Sequence, residues 1–199
     1  MIRTDWKVEE IKEIYELPLL ELVYQASSVH RKHHDPSKIK ISQLISFKTG
    51  ACTEDCAYCA QSSRYKTHVV PHKSLSVQEV LQEALDAQKA GVERVCLSAS
   101  WRNIPQNEEF EKVLEMISQI KKQGLSVCCT MGMMNAQQAK QLVDAGIVAY
   151  NHNLDTSNEY YPQIISTRSY KERLETINRL TEAGAQFCSG GIIGLGESE

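Results

Sequence analysis

Three cysteines lie within eight consecutive positions of the stretch GACTEDCAYCAQSSRY, at Cys52, Cys56 and Cys59. Thiolates bind zinc and iron–sulfur clusters, and most such sites use four ligands. A structural zinc site could take its fourth ligand from His68 or His72. A redox pair could use the last two cysteines as a dithiol. A four-iron cluster held by only three thiolates would leave one iron open for a catalytic ligand.

The composition indicates the cellular compartment in which this chemistry is expected. The 199 residues carry 22 basic and 25 acidic side chains, a formal charge of -3, which gives no basic field for nucleic acid. The basic run HRKHH at 30–34 is expected to be a solvated helix end. The opening residues do not resemble a signal peptide, and no stretch is long enough to span a bilayer. We therefore predict a cytoplasmic protein, in which seven cysteines favour metal, cluster or redox chemistry over a disulfide framework.

An alternation of strands and helices is predicted to position the cysteine loop. After an opening helix interrupted at Pro18, strand-like stretches begin at positions 42, 94, 126, 148 and 186. The predicted helices between them cover 76–91, 108–124, 135–146 and 170–184. Ser76 and Glu79 have the spacing of a capping box, and each of these helices ends at a glycine. This order predicts an α/β fold with a parallel sheet, either doubly wound or a (β/α) barrel.

The alternation of side chains along each strand separates the two faces of the predicted sheet. It places Cys96, Cys128 and Cys188 on a polar inner face, and Cys129 among the apolar side chains that face the helices. One inward cysteine would be an ordinary buried residue, because free cysteines are commonly buried. Three on matching faces, beside the polar row that begins at Asn151, favour a set of ligands.

The C-x₃-C-x₂-C spacing, with Tyr58 before the last cysteine, resembles the signature of the radical S-adenosylmethionine (radical SAM) enzymes. Together with YNHNLDTS, STRSYKERLETI and CSGGIIGLGE, it resembles the biotin synthase family, from about residue 40 to the end of the chain. The resemblance implies a radical SAM TIM-type (β/α) barrel. Residues 40–199 would form five or six of its eight strands, after an N-terminal helical extension at residues 1–39.

The resemblance implies two metal centres. Cys52, Cys56 and Cys59 would hold a [4Fe-4S] cluster whose open iron is chelated by S-adenosylmethionine. One electron would then cleave this cofactor to methionine and a 5′-deoxyadenosyl radical. A second cluster, [2Fe-2S], would be the sulfur source, and its implied ligands are the inward cysteines Cys96, Cys128 and Cys188.

The other residues that the resemblance implies bind the cofactor or the substrate. Those for S-adenosylmethionine are Tyr58, Asn153, Asp155, Arg173 and Ile192. Arg173 would face its carboxylate, while Asn151 and Asn153 would contact dethiobiotin. Capping of the next helix by Asp155 and a surface position for Arg173 stay open as alternatives.

The implied reaction inserts sulfur into dethiobiotin to form biotin, the last step of biotin biosynthesis, which makes the expected enzyme a sulfurtransferase. The expected partners are an electron donor such as flavodoxin or ferredoxin and a second copy in a homodimer, with no nucleic acid and no membrane. In the family, later strands supply an arginine ligand to the second cluster, and the chain ends at Glu199 before them, so we expect an open sheet edge. Another radical SAM enzyme, such as a hydrogenase cofactor maturase, and a non-catalytic zinc- or thiol-binding module remain alternatives.

Overall fold

The structure is a computed structural model that describes residues 3–198. The chain divides into two compact units, Met1–Lys40 and Ile41–Glu199. None of the described helices is both long and apolar enough to cross a membrane. The candidate ligand residues all belong to the second unit.

The first unit consists of two helices, α1 (Val8–Tyr15) and α2 (Leu19–His33). The predicted interruption at Pro18 is confirmed, since this residue is the N-cap of α2. Proline suits the start of a helix because the first N–H groups have no partner within the helix. The basic run at 30–34 is exposed at the end of α2, as predicted.

A five-stranded parallel sheet forms the centre of the second unit. Its strands are β1 (Ser42–Lys48), β2 (Arg94–Ala99), β3 (Ser126–Thr130), β4 (Ile147–Asn151) and β5 (Gln186–Cys188). They lie side by side in the order of the sequence, so that β1 and β5 are the edges of the described sheet. A doubly wound sheet would reverse its strand order at a switch point. The uninterrupted order is that of a (β/α) barrel, and the described strands form an incomplete one.

Helices join the strands and cover one face of the sheet. They are α3 (Val77–Lys89), α4 (Glu108–Lys122), α5 (Ala136–Ala145), a single turn α6 (Tyr161–Ile164), and α7 (Tyr170–Glu182). The predicted capping box at the start of α3 is confirmed, because the Ser76 hydroxyl accepts from Glu79 N and the Glu79 carboxylate accepts from Ser76 N. The short α6 was not predicted, since four residues are too few to show a helical period.

The core lies between the sheet and these helices. Val95 and Val127 are fully buried there, and so is Cys129, which confirms the predicted assignment of strand faces. The other face of the sheet is less covered, since Leu44 on the edge strand β1 is 60% exposed. The residues with candidate chemistry lie on this second face and at the carboxyl ends of the strands.

Candidate metal and cofactor site

The cysteine loop begins at the carboxyl end of β1, where Gly50 and Ala51 have positive φ angles of 73° and 54°. A side chain at position 50 would also collide with Pro71, because a Cβ there would lie 2.9 Å from the Pro71 Cα atom. The Lys48 ammonium donates to the Gly50 carbonyl oxygen and to the Ser100 hydroxyl, each at 2.9 Å. These contacts hold the loop at the edge where parallel sheets place their active sites.

Backbone hydrogen bonds fold the loop back on itself. Cys52 N donates to Gln61 O at 3.0 Å, and Cys59 N donates to Cys56 O at 2.9 Å. As a result, all three cysteines line one cavity of about 200 Å³. Burial raises the pKa of the Cys52 and Cys56 thiols, so these groups are protonated at neutral pH until a metal displaces the proton.

The geometry does not support a zinc site at this loop. Zinc requires ligands that converge on one point at about 2.0–2.3 Å. Among residues 3–198, no group of three His, Cys, Asp or Glu side chains is arranged to hold a metal ion. His68 is exposed, the His72 Nδ1 atom lies 2.8 Å from the Lys73 carbonyl oxygen, and neither histidine lines the cavity. A cluster does not need such convergence, because each thiolate binds a different iron atom.

Asp55, which lies between the first two cysteines, joins the loop to a distant segment of the chain. Its Oδ1 atom accepts hydrogen bonds from Ser166 N at 3.0 Å, Thr167 N at 3.2 Å and the Thr167 hydroxyl at 2.9 Å. The Ser166 hydroxyl donates to the other carboxylate oxygen. Burial opposes ionisation of the carboxyl, but these four hydrogen bonds outweigh it and lower the pKa of Asp55 to about 2.

Arg168 follows this segment and connects four partners. Its Nη1 atom lies 3.3 Å from Glu54 Oε2, and its Nη2 atom lies 3.3 Å from Cys56 Sγ and 3.2 Å from Asp155 Oδ2. Its Nε atom donates to the Tyr161 hydroxyl at 2.9 Å. The Arg168 side chain is only 6% exposed, and such a buried cation requires anionic partners of this kind.

Glu54, Asp55 and Arg168 were not among the residues predicted from the sequence. A signal was nevertheless present, because two acidic residues stand inside the cysteine motif. Carboxylates next to thiolate ligands require compensating cations or hydrogen-bond donors.

A second arginine lies on the other side of Asp155. Arg173 Nη2 donates to Asp155 Oδ2 at 3.0 Å, and its Nη1 atom lies 3.2 Å from His152 Nδ1. Burial, together with the nearby Arg173 and Arg168, lowers the pKa of His152 to about 2, so the imidazole is neutral. The alternative roles of these two residues, a helix cap for Asp155 and a surface position for Arg173, are therefore wrong. The Asp155 carboxylate binds two guanidinium groups, and Arg173 is a buried residue of the cavity wall.

The remaining predicted cofactor residues lie around Asp155. Asp155 and Ile192 line a groove of about 550 Å³, and Ile192 N donates to Asp155 O at 2.7 Å. Asn153 is exposed on the same segment. Tyr58 lines the cysteine cavity, where burial and then its interaction with Asp155 raise the pKa of the phenol above its usual range. Asp155 thus stands between the cysteine cavity and the groove.

The second predicted ligand set is partly assembled. Cys96 and Cys128 face each other across β2 and β3, with their Cα atoms 4.5 Å apart, and they form a disulfide where free thiolates were expected. Paired residues on neighbouring strands are close enough for this bond. Cys188 is exposed and pairs with Asn151 of β4. Cys128 pairs with Ala149, two residues earlier on the same strand. Two of the three predicted ligands are therefore adjacent, and their disulfide would have to be reduced before they could bind a [2Fe-2S] cluster, so this ligand set stays a prediction.

Asn151 and Cys129 lie as the alternation of faces predicts. Asn151 lines a cavity of about 220 Å³ together with Cys96 and Cys128, and its buried Oδ1 atom has no hydrogen-bond partner. Cys129 belongs to the apolar core between the sheet and the helices, where burial raises the pKa of its thiol. Neighbouring cysteines in the sequence thus have different surroundings.

Comparison with known proteins identifies the family. The model of the radical SAM superfamily matches residues 47–199. This chain belongs to the radical SAM superfamily. It is 55% identical over 197 residues to a biotin synthase of Nostoc punctiforme and 52% identical over 200 residues to a biotin synthase of Schizosaccharomyces pombe. These alignments cover 99% and 100% of this chain but 59% and 55% of the relatives, so the chain spans a little over half of their length.

Solved structures agree with the radical SAM fold. The chain matches methylornithine synthase with a TM-score of 0.79 over 98% of this chain and 58% of that one. It matches a maturase of the [FeFe]-hydrogenase with a TM-score of 0.75 over 92% of this chain and 42% of that one. The sequence identities are 18% and 19%, so these likenesses show the fold alone and do not favour a maturase function.

Membership of the radical SAM superfamily implies a [4Fe-4S] cluster and S-adenosylmethionine, and the described residues fit both. Three thiols line one cavity. One buried atom in the wall of that cavity, Arg173 Nε, has no hydrogen-bond partner. Buried polar atoms normally have partners, so an unpaired guanidinium donor here suits the carboxylate group of an amino-acid-like ligand.

Proposed function

We propose that this chain forms the cluster- and cofactor-binding part of a biotin synthase, a sulfurtransferase that converts dethiobiotin to biotin with S-adenosylmethionine. One observation carries the proposal: the cavity of the three-cysteine loop and the Cys96–Cys128 pair are neighbours on the same face of the sheet. Ser98 and Thr130 line the cavity of the three-cysteine loop, and Cys96 and Cys128 lie two residues earlier on the same strands and the same face. The two relatives at 52% and 55% identity support the same proposal.

In this proposal Cys52, Cys56 and Cys59 bind the [4Fe-4S] cluster. When bound, the cluster and S-adenosylmethionine supply the one-electron chemistry that removes hydrogen from carbon atoms of dethiobiotin. Arg173 binds the carboxylate of the cofactor with its unpaired Nε donor, since its other two nitrogens are already bonded to Asp155 and His152.

The proposal gives the remaining polar residues binding roles. Asp155 holds Arg168 and Arg173 in place while its groove, which ends at Ile192, takes the nucleoside part of the cofactor. Tyr58 closes the cysteine cavity on the cofactor side. Asn153 is assigned to the ribose and, with Asn151, to dethiobiotin; the unpaired Asn151 Oδ1 acceptor suits an N–H group of the ureido ring.

The predicted [2Fe-2S] cluster would require its three cysteine ligands to be arranged differently. A [2Fe-2S] cluster would need Cys96 and Cys128 as reduced thiols and Cys188 beside them, so no step is assigned to that cluster.

The proposed protein is a cytoplasmic homodimer that receives electrons from a flavodoxin or ferredoxin. Residues 40–199 are the barrel part, and residues 1–39 are a helical extension.

The test is anaerobic purification under reducing conditions, followed by assays of iron and acid-labile sulfide per chain. We expect about four iron atoms on the three-cysteine loop and an EPR spectrum of the reduced cluster that changes when S-adenosylmethionine is added. Cys56→Ser should lose most of this iron, whereas the core variant Cys129→Ser should retain it. A colourless protein that contains zinc and no sulfide would instead establish the zinc- or thiol-binding module.

A second measurement separates biotin synthase from other radical SAM enzymes. Cleavage of S-adenosylmethionine by the reduced protein should be stimulated by dethiobiotin, and Asn151→Ala should raise the dethiobiotin concentration that is needed for half of this stimulation. Cleavage that is indifferent to dethiobiotin in the wild-type protein would indicate a different substrate.

A further inference from the structure

We propose that Arg168 is a positioning residue for the cluster, which compensates the negative charge around Cys56 and fixes this thiolate relative to the carboxylate of Asp155. The inference rests on the proposed function, because it concerns the cluster that the three-cysteine loop would hold. Arg168 was not among the candidate residues of the sequence, and the contacts of its side chain carry the argument.

A single nitrogen of Arg168 lies between a cluster ligand and the cofactor groove. Its Nη2 atom is 3.3 Å from Cys56 Sγ and 3.2 Å from Asp155 Oδ2, while its Nη1 atom is 3.3 Å from Glu54 Oε2. The guanidinium is planar and presents its donors in a fixed fork, so these three contacts fix one another. A lysine at this position could keep the charge but not the three directions.

The balance of charge at the cavity explains why a cation is needed there. Glu54 and Asp155 are only 2% and 3% exposed, and three thiolates would add further negative charge to the same cavity wall. Anions buried together destabilise one another unless a cation lies between them.

The other cations near the cavity have different partners. Arg173 binds Asp155 and His152, and Lys48 binds Gly50 and Ser100. Arg102 pairs with Glu54, with its Nε atom 3.5 Å from Glu54 Oε1. In the part of the chain that the structure describes, Arg168 is the cation that donates a hydrogen bond to a cysteine sulfur. Among these cations, Arg168 is therefore the one in direct contact with a predicted cluster ligand.

The neighbouring residues keep Arg168 in place. Asp55 binds both Ser166 and Thr167, so the backbone immediately before Arg168 is fixed to the backbone between the first two cysteines. These hydrogen bonds hold Arg168 close to the cysteine loop. A hydrogen bond and a positive charge held next to a cluster thiolate favour the reduced, more negative state of the cluster.

The test is an EPR-monitored reductive titration of the anaerobic protein, with iron content measured on the same samples. In Arg168→Gln we expect the equilibrium constant for reduction of the cluster to fall about tenfold, a shift of about 59 mV to more negative potential for one electron. Arg168→Lys should shift less, because it keeps the charge. The control is Arg179→Gln, which removes a cation of α7 that binds Glu175 and the Met134 carbonyl oxygen; it should leave the potential unchanged.

The outcomes separate this inference from the proposed function. An Arg168→Gln protein with wild-type iron content and wild-type potential overturns the inference and leaves the proposed function intact. If Arg168→Gln retains no iron, Arg168→Lys decides: recovered iron supports charge compensation, and absent iron in a folded Lys variant overturns it. A wild-type protein that binds no cluster counts against the proposed function.

Discussion

The contact of Asp55 with Ser166 and Thr167 gives a quantitative prediction. The substitution Asp55→Asn keeps the size of the side chain and one oxygen acceptor but removes the negative charge that four hydrogen bonds favour. Because these contacts join segments more than a hundred residues apart in sequence, their loss should destabilise the folded chain without changing any helix.

The magnitude follows from the pKa. The carboxyl of Asp55 is shifted from its ordinary value of 3.8 to about 2, which corresponds to at most about 2 kcal/mol of folding free energy. The carboxylate is partly exposed to solvent, so we expect about 1 kcal/mol. The pKa is lower in the folded state, so this contribution is present above pH 4 and is lost as the pH falls through about 2.

The assay is urea unfolding of the reduced, metal-free chain, followed by circular dichroism, for wild type and Asp55→Asn between pH 6 and pH 3. The wild type should be more stable by about 1 kcal/mol at pH 6 and by about half of that at pH 3, where the unfolded carboxyl is largely protonated. Asp144→Asn, which removes an exposed partner of Lys140 on α5, is the matched control and should not change the midpoint. Equal stability at pH 6, or a difference that does not depend on pH, would refute the argument.

Two further substitutions test the core and the assignment of strand faces. Tyr150→Phe should cost about 1–3 kcal/mol in urea unfolding, because the buried hydroxyl donates to Gly132 O at 2.7 Å and accepts from Met131 N at 3.0 Å; an unchanged midpoint would contradict this role. Cys129→Ser should cost about 1–3 kcal/mol because it buries a hydroxyl in the apolar core, while the iron content stays that of the wild type. Loss of iron in a folded Cys129→Ser protein would show that the two faces of β3 had been exchanged.

The local structure of this chain could be predicted from its sequence. The helices have apolar residues at helical spacing, and the start of α3 is marked by Ser76 and Glu79, whose bonds form within four residues. The contrast between Cys128 and Cys129 was also predictable, because side chains alternate along any strand. Such features depend on neighbours in the sequence, so a short window contains all the interactions that decide them.

The site required the tertiary structure. The register of β2, β3, β4 and β5 decides that Cys96 meets Cys128 and that Cys188 lies beside Asn151, and a shift by two residues would keep every face while changing every partner. The bonds from Asp55 to Ser166 and from Arg168 to Cys56 join positions 111 and 112 residues apart. The sequence by itself determined which residues could bind a cluster and which face of each strand they occupy. Packing of the whole sheet decided which of them meet, because contacts over such separations form only when every intervening strand and helix is in place.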